Sequence, residues 1–170
     1  MKKENWRRWL VAYALVVAGG FVFHFLYDLS PNVLFALLAP VQESVWEHLK
    51  ILFWPMLMVG WWMTRKDVTE KPSWYFATLL GSGLLLFFGW IVHIQIGIEE
   101  VMVDVLGMIV IEAIAFLAAA WMKLGERWKG PLMLGLIAVT VLIVAFTFWQ
   151  PEGLLFADLS RADALYTLPC

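Results

Sequence analysis

Three histidines and a group of carboxylates stand out in a sequence that is otherwise strongly apolar. Imidazole and carboxylate together suit zinc, iron or manganese, and a catalytic zinc commonly has three protein ligands and one position for water. A single cysteine excludes a disulfide scaffold, an iron–sulfur cluster and a cysteine-based zinc site. We therefore predict a divalent metal site, with zinc as the first choice and iron or manganese as alternatives. The predicted ligands are His24, His48, His93, Asp28 and Asp104.

Carboxylates outside this ligand set are candidates for proton transfer, because a metal-bound water needs a general base. Two of them closely precede His48 in the sequence, and a third lies deep inside a predicted membrane-spanning segment. An ionisable group near the bilayer centre costs about 3 kcal/mol or more, so this third residue should face the interior of a helix bundle. The predicted catalytic residues are Glu43, Glu47 and Glu112.

Each of these residues also has an ordinary structural explanation. Asp28 would be solvated at the end of a span, and His24 or His93 would hydrogen-bond to a backbone carbonyl. Glu47 lies three residues before Lys50, a spacing that suits an internal ion pair. The structural explanation is favoured for each residue alone. Three histidines and several acids in one layer of a membrane nevertheless favour a functional site.

The elements that must position these side chains are membrane-spanning helices. Of the 170 residues, 62% are hydrophobic and 15% are charged, and the mean hydropathy is +0.79. About a quarter of the residues in a soluble domain are charged, so this composition excludes an ordinary soluble domain, a disordered chain and a fibrous repeat. The net charge of −2, with no dominant basic face, also excludes nucleic-acid binding by bulk electrostatics.

A helical span needs about 20 apolar residues, and five stretches of the sequence meet this length. The apolar segment 33–39 is too short to span and is ended by Pro40, so we predict an interfacial or re-entrant piece there. The predicted fold is all-α, a single polytopic transmembrane bundle of five helices over residues 1–170, with this short segment before the second helix. The predicted spans are 9–27, 41–63, 74–96, 101–122 and 131–149, followed by a tail at 150–170.

The distribution of basic residues predicts the orientation in the membrane. Ten of the 12 lysines and arginines lie before the first span or in the loops after the second and fourth spans. Short cytoplasmic loops carry such an excess, so the N-terminus is predicted to be cytoplasmic and the C-terminal tail extracytoplasmic. All three histidines then lie near the outer ends of their spans. No small-residue cleavage site follows the first apolar run, which is therefore predicted to be a retained span.

The segment 39–50 reads APVQESVWEHLK and resembles the signature of a family of small bacterial multi-pass integral membrane proteins of unknown function. That signature is similar to P-V-N-E-S-x-W-E-H-x-K, and Gln42 stands where asparagine is expected. The stretch 24–28 and part of the tail are similar as well, whereas 162–170 depart from the family. The resemblance implies a bacterial plasma-membrane protein and brings no activity with it. It points to Glu43, Glu47, His48 and Lys50.

The leading functional prediction is metal-dependent hydrolysis or transfer on a lipid or small amphiphile. One alternative is a small cation or proton transporter or channel subunit, in which histidines and carboxylates form a relay and Glu112 is the gate at the midplane. Another is a structural partner subunit, in which the polar cluster holds helices together. A transporter needs a polar route to the cytoplasm, and the inner halves of the spans offer few polar side chains. The expected partner is the lipid bilayer, no nucleic acid is expected, and a homo-oligomer is compatible with so short a chain.

Common catalytic motifs are absent from the sequence, which lacks G-x-x-x-x-G-K-[ST], H-E-x-x-H and G-x-S-x-G. The predicted site is therefore a constellation of residues from several spans. In the tail, the Leu-Leu-Phe at 154–156 predicts an anchor in the membrane interface, with a lid over the outer end of the bundle as the alternative.

Overall fold

Helices make up the regular structure of the chain in the computed structural model, which describes residues 6–98 and 100–160 and has no strand in these ranges. The six α-helices are α1 (Trp6–Leu29), α2 (Val33–Leu38), α3 (Leu49–Thr64), α4 (Lys71–Gly89), α5 (Val101–Trp121) and α6 (Lys129–Phe148). Four segments are long and apolar enough to cross a membrane, namely Trp6–Leu29, Val68–Ile96, Val101–Trp121 and Glu126–Phe148. The predicted all-α class is confirmed, and the apolar helices have the character of a membrane protein.

The second predicted span, 41–63, is not helical at its start, while the bundle of five spanning helices stays a prediction. Helix α3 begins only at Leu49, and an irregular segment, the 40–48 loop, precedes it. Polar side chains in this loop bind its backbone and compete with a helix: Ser44 Oγ accepts from Glu47 N at 3.2 Å, and a Glu47 carboxylate oxygen accepts from Val41 N at 2.9 Å. With 16 residues, α3 is about 24 Å long, shorter than the roughly 30 Å hydrocarbon core of a bilayer.

The short apolar segment before α3 does form a helix of its own. Asn32 caps α2 by accepting a hydrogen bond from Phe35 N at 3.0 Å. The indole of Trp54 on α3 donates to Leu37 O at 2.9 Å and so holds α2 against α3. The interfacial or re-entrant placement of this segment stays a prediction.

The bundle is organised around α3 and α4, which pack against each other. Helix α1 lies against α3, α5 lies against α4 and α1, and α6 lies against α4. Trp74 occupies the core with its ring stacked on Trp9 at 5.7 Å and edge-on to Phe116 at 5.1 Å. Gly60 permits this packing, because a Cβ at that position would lie 3.1 Å from the Trp74 ring. The core therefore fixes the helices from the side remote from the histidines.

Basic side chains gather at one end of the bundle, the basic end. Arg8 at the start of α1 donates to Met63 O at the end of α3 at 2.7 Å, and Leu124 N donates to Ser73 Oγ at 3.1 Å. These bonds show that α1 and α4 begin at the same end of the bundle at which α3 and α5 end. Among the described lysines and arginines, Lys50 alone lies away from this end. Lys2, Lys3, Glu99 and Arg161 lie outside the described residues.

The described part of the tail, residues 150–160, folds back over the 40–48 loop at the opposite end. Trp46 N donates to Leu155 O at 2.9 Å, and Leu159 N donates to Glu43 O at 2.6 Å. The Phe156 ring packs on Trp46 with a centroid separation of 5.4 Å. This arrangement is the one that the sequence analysis gave as its alternative, and the tail from residue 161 onward lies outside the described residues.

Candidate functional site

A cavity of about 460 Å³ opens at the end of the bundle opposite the basic end. Its walls come from α1, α3, α4 and the segment after it, α5, the 40–48 loop and the tail, and most of the side chains that form them are apolar. The apolar lining includes Phe21 and Phe25 of α1, Phe88 of α4, and Val105 and Met108 of α5. Five titratable side chains also line the cavity: His24, Glu43, His48, His93 and Asp104.

His24, Glu43 and His48 form a cluster at the polar end of the cavity, the His24–Glu43–His48 cluster. His48 Nε2 lies 3.2 Å from Glu43 Oε2, and His24 Nε2 lies 4.0 Å from the same oxygen. One ligand atom from each residue falls within 4.8 Å of the other two, which makes this a group that could hold a metal ion. A bound ion would draw these atoms to about 2 Å from itself. The metal prediction is therefore supported for two of the three histidines and for Glu43, which the sequence analysis had assigned as a base.

His48 is oriented by a backbone carbonyl as a metal-ligating histidine usually is. Its Nδ1 lies 2.8 Å from Ser44 O, and because a carbonyl only accepts, Nδ1 carries the hydrogen and Nε2 faces Glu43. Burial disfavours the charged ring, but the Glu43 hydrogen bond, the Ser44 carbonyl and the charges of Glu43 and Asp104 outweigh it and raise the pKa of His48. The hydrogen bond from His48 in turn lowers the pKa of the Glu43 carboxyl.

His93 and Asp104 form a second polar group in the same cavity, the His93–Asp104 pair. His93 Nε2 lies 2.9 Å from Asp104 Oδ1, and His93 Nδ1 lies 2.8 Å from Ile98 O. Each ring nitrogen thus faces an acceptor, which suits a histidine that carries a proton on both nitrogens. The structure places this pair outside the metal-ligand group, although both residues are predicted ligands.

The His93 side chain, which points toward Asp104, lies in a segment where the helix geometry changes. After Gly89 the chain continues as a π-helical segment, Trp90–Ile96, which ends at Gly97 in the left-handed conformation with φ of +76°. Gly89 itself lies against the 40–48 loop, since a Cβ there would approach Val45 Cγ1 to 2.6 Å. π-Helical turns are frequent at functional sites because the extra residue rotates the following side chains.

Three predicted site residues are absent from the cavity lining, namely Asp28, Glu47 and Glu112. Asp28 is exposed one turn beyond His24. Glu47 is fully buried and binds Lys50 Nζ at 2.6 Å, while Lys50 Nζ also donates to Ala36 O at 2.8 Å. This Glu47–Lys50 pair ties α2 and the 40–48 loop to α3, so the structure gives Glu47 the internal ion pair that its spacing from Lys50 indicated.

The third predicted catalytic residue, Glu112, lies just below the cavity. Its side chain is 0% exposed, and neither Oε1 nor Oε2 has a hydrogen-bond partner in the described part of the chain. A Cβ on Gly20, a residue of the cavity wall, would lie 3.3 Å from Glu112 Oε1. Glu112 Oε1 therefore lies next to the cavity wall at Gly20.

The sequence analysis did not identify the backbone groups and tail residues that complete the site. The carbonyls of Ser44 and Ile98 orient two histidines, and a carbonyl leaves no trace in the residue pattern. Leu159 and Ser160 line the cavity because the tail folds over the loop. The hydrophobic tail sequence was the available signal, and it favoured an anchor in the membrane interface.

Four apolar segments are long enough to cross a membrane, which is compatible with a helical membrane protein. The cavity and its polar cluster form a candidate ligand site. The chain belongs to the Family of unknown function (DUF6512), whose family model matches residues 1–163. No curated protein and no solved structure matches the sequence. The predicted membership of a family of unknown function is thus confirmed, while the bacterial origin and the signature motif stay predictions.

Proposed function

We propose that this protein is a membrane-embedded, metal-dependent enzyme that hydrolyses or transfers a group on a lipid or small amphiphile. The observation that supports this is one cavity of about 460 Å³ with apolar walls and the His24–Glu43–His48 cluster at its polar end. Three protein ligands leave a coordination position for water. Apolar walls with a few convergent polar groups are the usual form of a small-molecule site, and here they suit a hydrocarbon chain.

The residues of the cavity have distinct roles in this proposal. His24, Glu43 and His48 hold a divalent ion, with zinc first and iron or manganese as the other choices. The ion would activate a bound water and polarise an ester or phosphoryl oxygen. Ser44 O keeps the His48 ring with Nε2 toward the ion. His93, held by Ile98 O and Asp104, supplies a proton to the leaving group.

The proposed location is the bacterial plasma membrane, with the basic end in the cytoplasm and the cavity at the outer leaflet. Support comes from the separation of charge in the fold, since the described basic residues other than Lys50 lie at the end remote from the cavity. Lysines and arginines in short loops are enriched on the cytoplasmic side. The N-terminus would then be cytoplasmic and the tail extracytoplasmic.

The first experiment measures metal content in detergent-purified protein. We expect near-stoichiometric zinc, iron or manganese in the parent and loss of that metal in His48→Ala. Asp28→Asn is the matched control, because it removes an exposed carboxylate next to the cluster and should keep the metal. A parent that binds none of the three metals, even after each is added back, would overturn the metal site.

The second experiment tests the reaction itself. Purified protein is incubated in mixed micelles with a lipid ester and with a phosphate-bearing amphiphile, and products are followed by mass spectrometry. We expect turnover in the parent, loss in His48→Ala, and a large reduction in His93→Gln with the metal retained. Stoichiometric metal without turnover of either substrate would contradict the hydrolytic role and leave the metal site standing.

A cation or proton transporter is the second candidate, and buried Glu112 favours it. Against this role, the hydroxyls of Thr78 and Ser82 in the half toward the basic end donate to carbonyls of their own helix, at 2.9 and 2.7 Å. They form no polar route. Flux measurements in liposomes distinguish the two roles, since only a transporter produces a Glu112-dependent proton or cation current.

A further inference from the structure

Glu112 lies outside the chemistry proposed for the cavity, and its surroundings assign it a role of its own. It lies midway along α5, is 0% exposed and has two carboxyl oxygens without a partner among residues 6–98 and 100–160. Buried charges in proteins are paired or become neutral, because an isolated carboxylate is strongly unfavourable away from water. A carboxyl group that carries a proton avoids this penalty and becomes a hydrogen-bond donor.

A backbone acceptor lies close to this carboxyl group. In a regular helix Ile51 O would accept from the residue four positions on, which is Pro55 and has no N–H. Ile51 O and Glu112 Oε1 converge on Gly20, where a Cβ would lie 3.1 and 3.3 Å from them. Both acceptors thus lie next to the position where α1 has no side chain, and a proton on Glu112 would add a donor beside them.

The nearby titratable groups do not supply that proton or a counter-charge. Tyr13 on α1 interacts electrostatically with Glu112, but its hydroxyl donates to Ile109 O at 2.9 Å. Lys50 on α3 is held by Glu47 and by carbonyls of the α2 segment. His24 on α1 and Asp104 on α5 belong to the cavity groups above, and on α4 the buried hydroxyl of Ser82 donates to Thr78 O.

We propose that Glu112 and the Ile51 carbonyl form a proton-binding site beneath the cavity, which exchanges its proton with the cavity at Gly20. The carboxylate takes up one proton from cavity water and returns it to the same water, so no other reactant is needed. This site does not depend on a metal at the His24–Glu43–His48 cluster. The proton-binding site goes beyond the proposed function and is tested independently of it.

A hydrophobic carbodiimide tests the proposal, because such reagents add to protonated carboxyl groups in apolar surroundings and leave a stable acylurea. Purified protein in lipid nanodiscs is treated with dicyclohexylcarbodiimide, and the modified residue is located by mass spectrometry of peptides. We expect modification of Glu112 in the parent, at a rate that falls as the pH rises, and no modification at this position in Glu112→Gln. Glu100→Gln, an exposed carboxylate at the start of α5, is the matched control and should leave the Glu112 modification unchanged.

Two further variants separate this proposal from the others. His48→Ala should keep the Glu112 modification even though the metal is lost, so failure of the metal site leaves this result intact. Gly20→Ala adds a methyl group where the two oxygens converge and should slow the modification several-fold, with folding checked by size-exclusion chromatography. An unmodified Glu112 in folded parent protein overturns the proposal, and protection by sodium ions at constant pH overturns it in favour of a sodium site.

Discussion

Two polar groups that draw residues from the stretch 43–50 contrast sharply. The Glu47–Lys50 pair is sealed, with both side chains 0% exposed and the lysine donating to a carboxylate oxygen and two carbonyls. The His24–Glu43–His48 cluster is open, with Glu43 46% and His48 25% exposed and one pair of atoms as far apart as 4.0 Å. Residue types alone do not distinguish the two groups, since each combines a glutamate with a basic side chain.

The difference lies in the access that water or a ligand has to each group. Both charges of the sealed pair are fully buried and bind each other and nearby backbone groups, so the pair holds chain segments together, although Glu47 Oε1 has no hydrogen-bond partner among the described residues. In the open cluster, His24, Glu43 and His48 are partly exposed and only loosely bound to one another. Their side chains can therefore release a neighbour and bind a metal ion or a ligand instead. In this protein the sealed pair fixes the 40–48 loop, and the loop then presents Glu43 and His48 to the cavity.

The largest expected effect comes from breaking the sealed pair. Lys50→Met leaves the Glu47 carboxylate buried and unpaired, which should cost about 3–5 kcal/mol of stability. Thermal unfolding in detergent measures the loss. The double variant Glu47→Gln/Lys50→Met removes both charges and should recover most of it, whereas equal losses in the single and double variants would show that the pair is not the stabilising element.

Breaking the open cluster should instead affect metal binding and leave the fold in place. Changes to the groups that hydrogen-bond to metal ligands cost about 10–100-fold in affinity. Glu43→Gln removes the charge of a ligand itself, so it should weaken metal binding by more than about 100-fold. A chelator-competition titration measures the affinity. A destabilisation as large as that of Lys50→Met would contradict the contrast, because it would make Glu43 a structural residue as well.

The His93–Asp104 pair lies between these extremes, since His93 is 12% and Asp104 39% exposed. Asp104→Asn replaces a charge-assisted hydrogen bond with a neutral one. Solvent screening weakens this hydrogen bond, so we expect the free energy of unfolding to fall by about 1 kcal/mol. Thermal unfolding measures this loss, and metal content should match the parent. Loss of the metal in this variant would place Asp104 among the ligands, as the sequence analysis predicted.

The smallest expected effect concerns the tail. Gln42 Nε2 donates to Phe156 O at 2.8 Å, and Gln150 Nε2 donates to the same oxygen at 3.2 Å. Gln42→Ala should therefore cost only about 0.5 kcal/mol. Hydrogen exchange of residues 154–160 should nevertheless become faster while exchange in α3 is unchanged. Equal acceleration in both segments would show that the tail and the loop are not separable.

The helices could be predicted from the sequence, because an apolar run of about 20 residues has the length and composition of a membrane-spanning helix. The 40–48 loop could not be predicted in the same way, since Val41 N and Glu47 N bind to side chains of the loop and Trp46 N binds to Leu155 O of the tail. For the site, positions near span ends were enough to bring His24 and His48 to one cavity. The turn of His93 toward Asp104 depends on a π-helical segment, which residue periodicity does not reveal.

The length of α3 has a consequence for the membrane around the protein. Helix α1 has 24 residues and α3 has 16, so they extend about 36 and 24 Å at 1.5 Å per residue. A segment shorter than the hydrocarbon thickness produces hydrophobic mismatch, which a bilayer meets by thinning locally. Headgroups would then dip toward the 40–48 loop, and an amphiphile could bring its polar end to Glu43 and His48 while its hydrocarbon chain stays among the lipids.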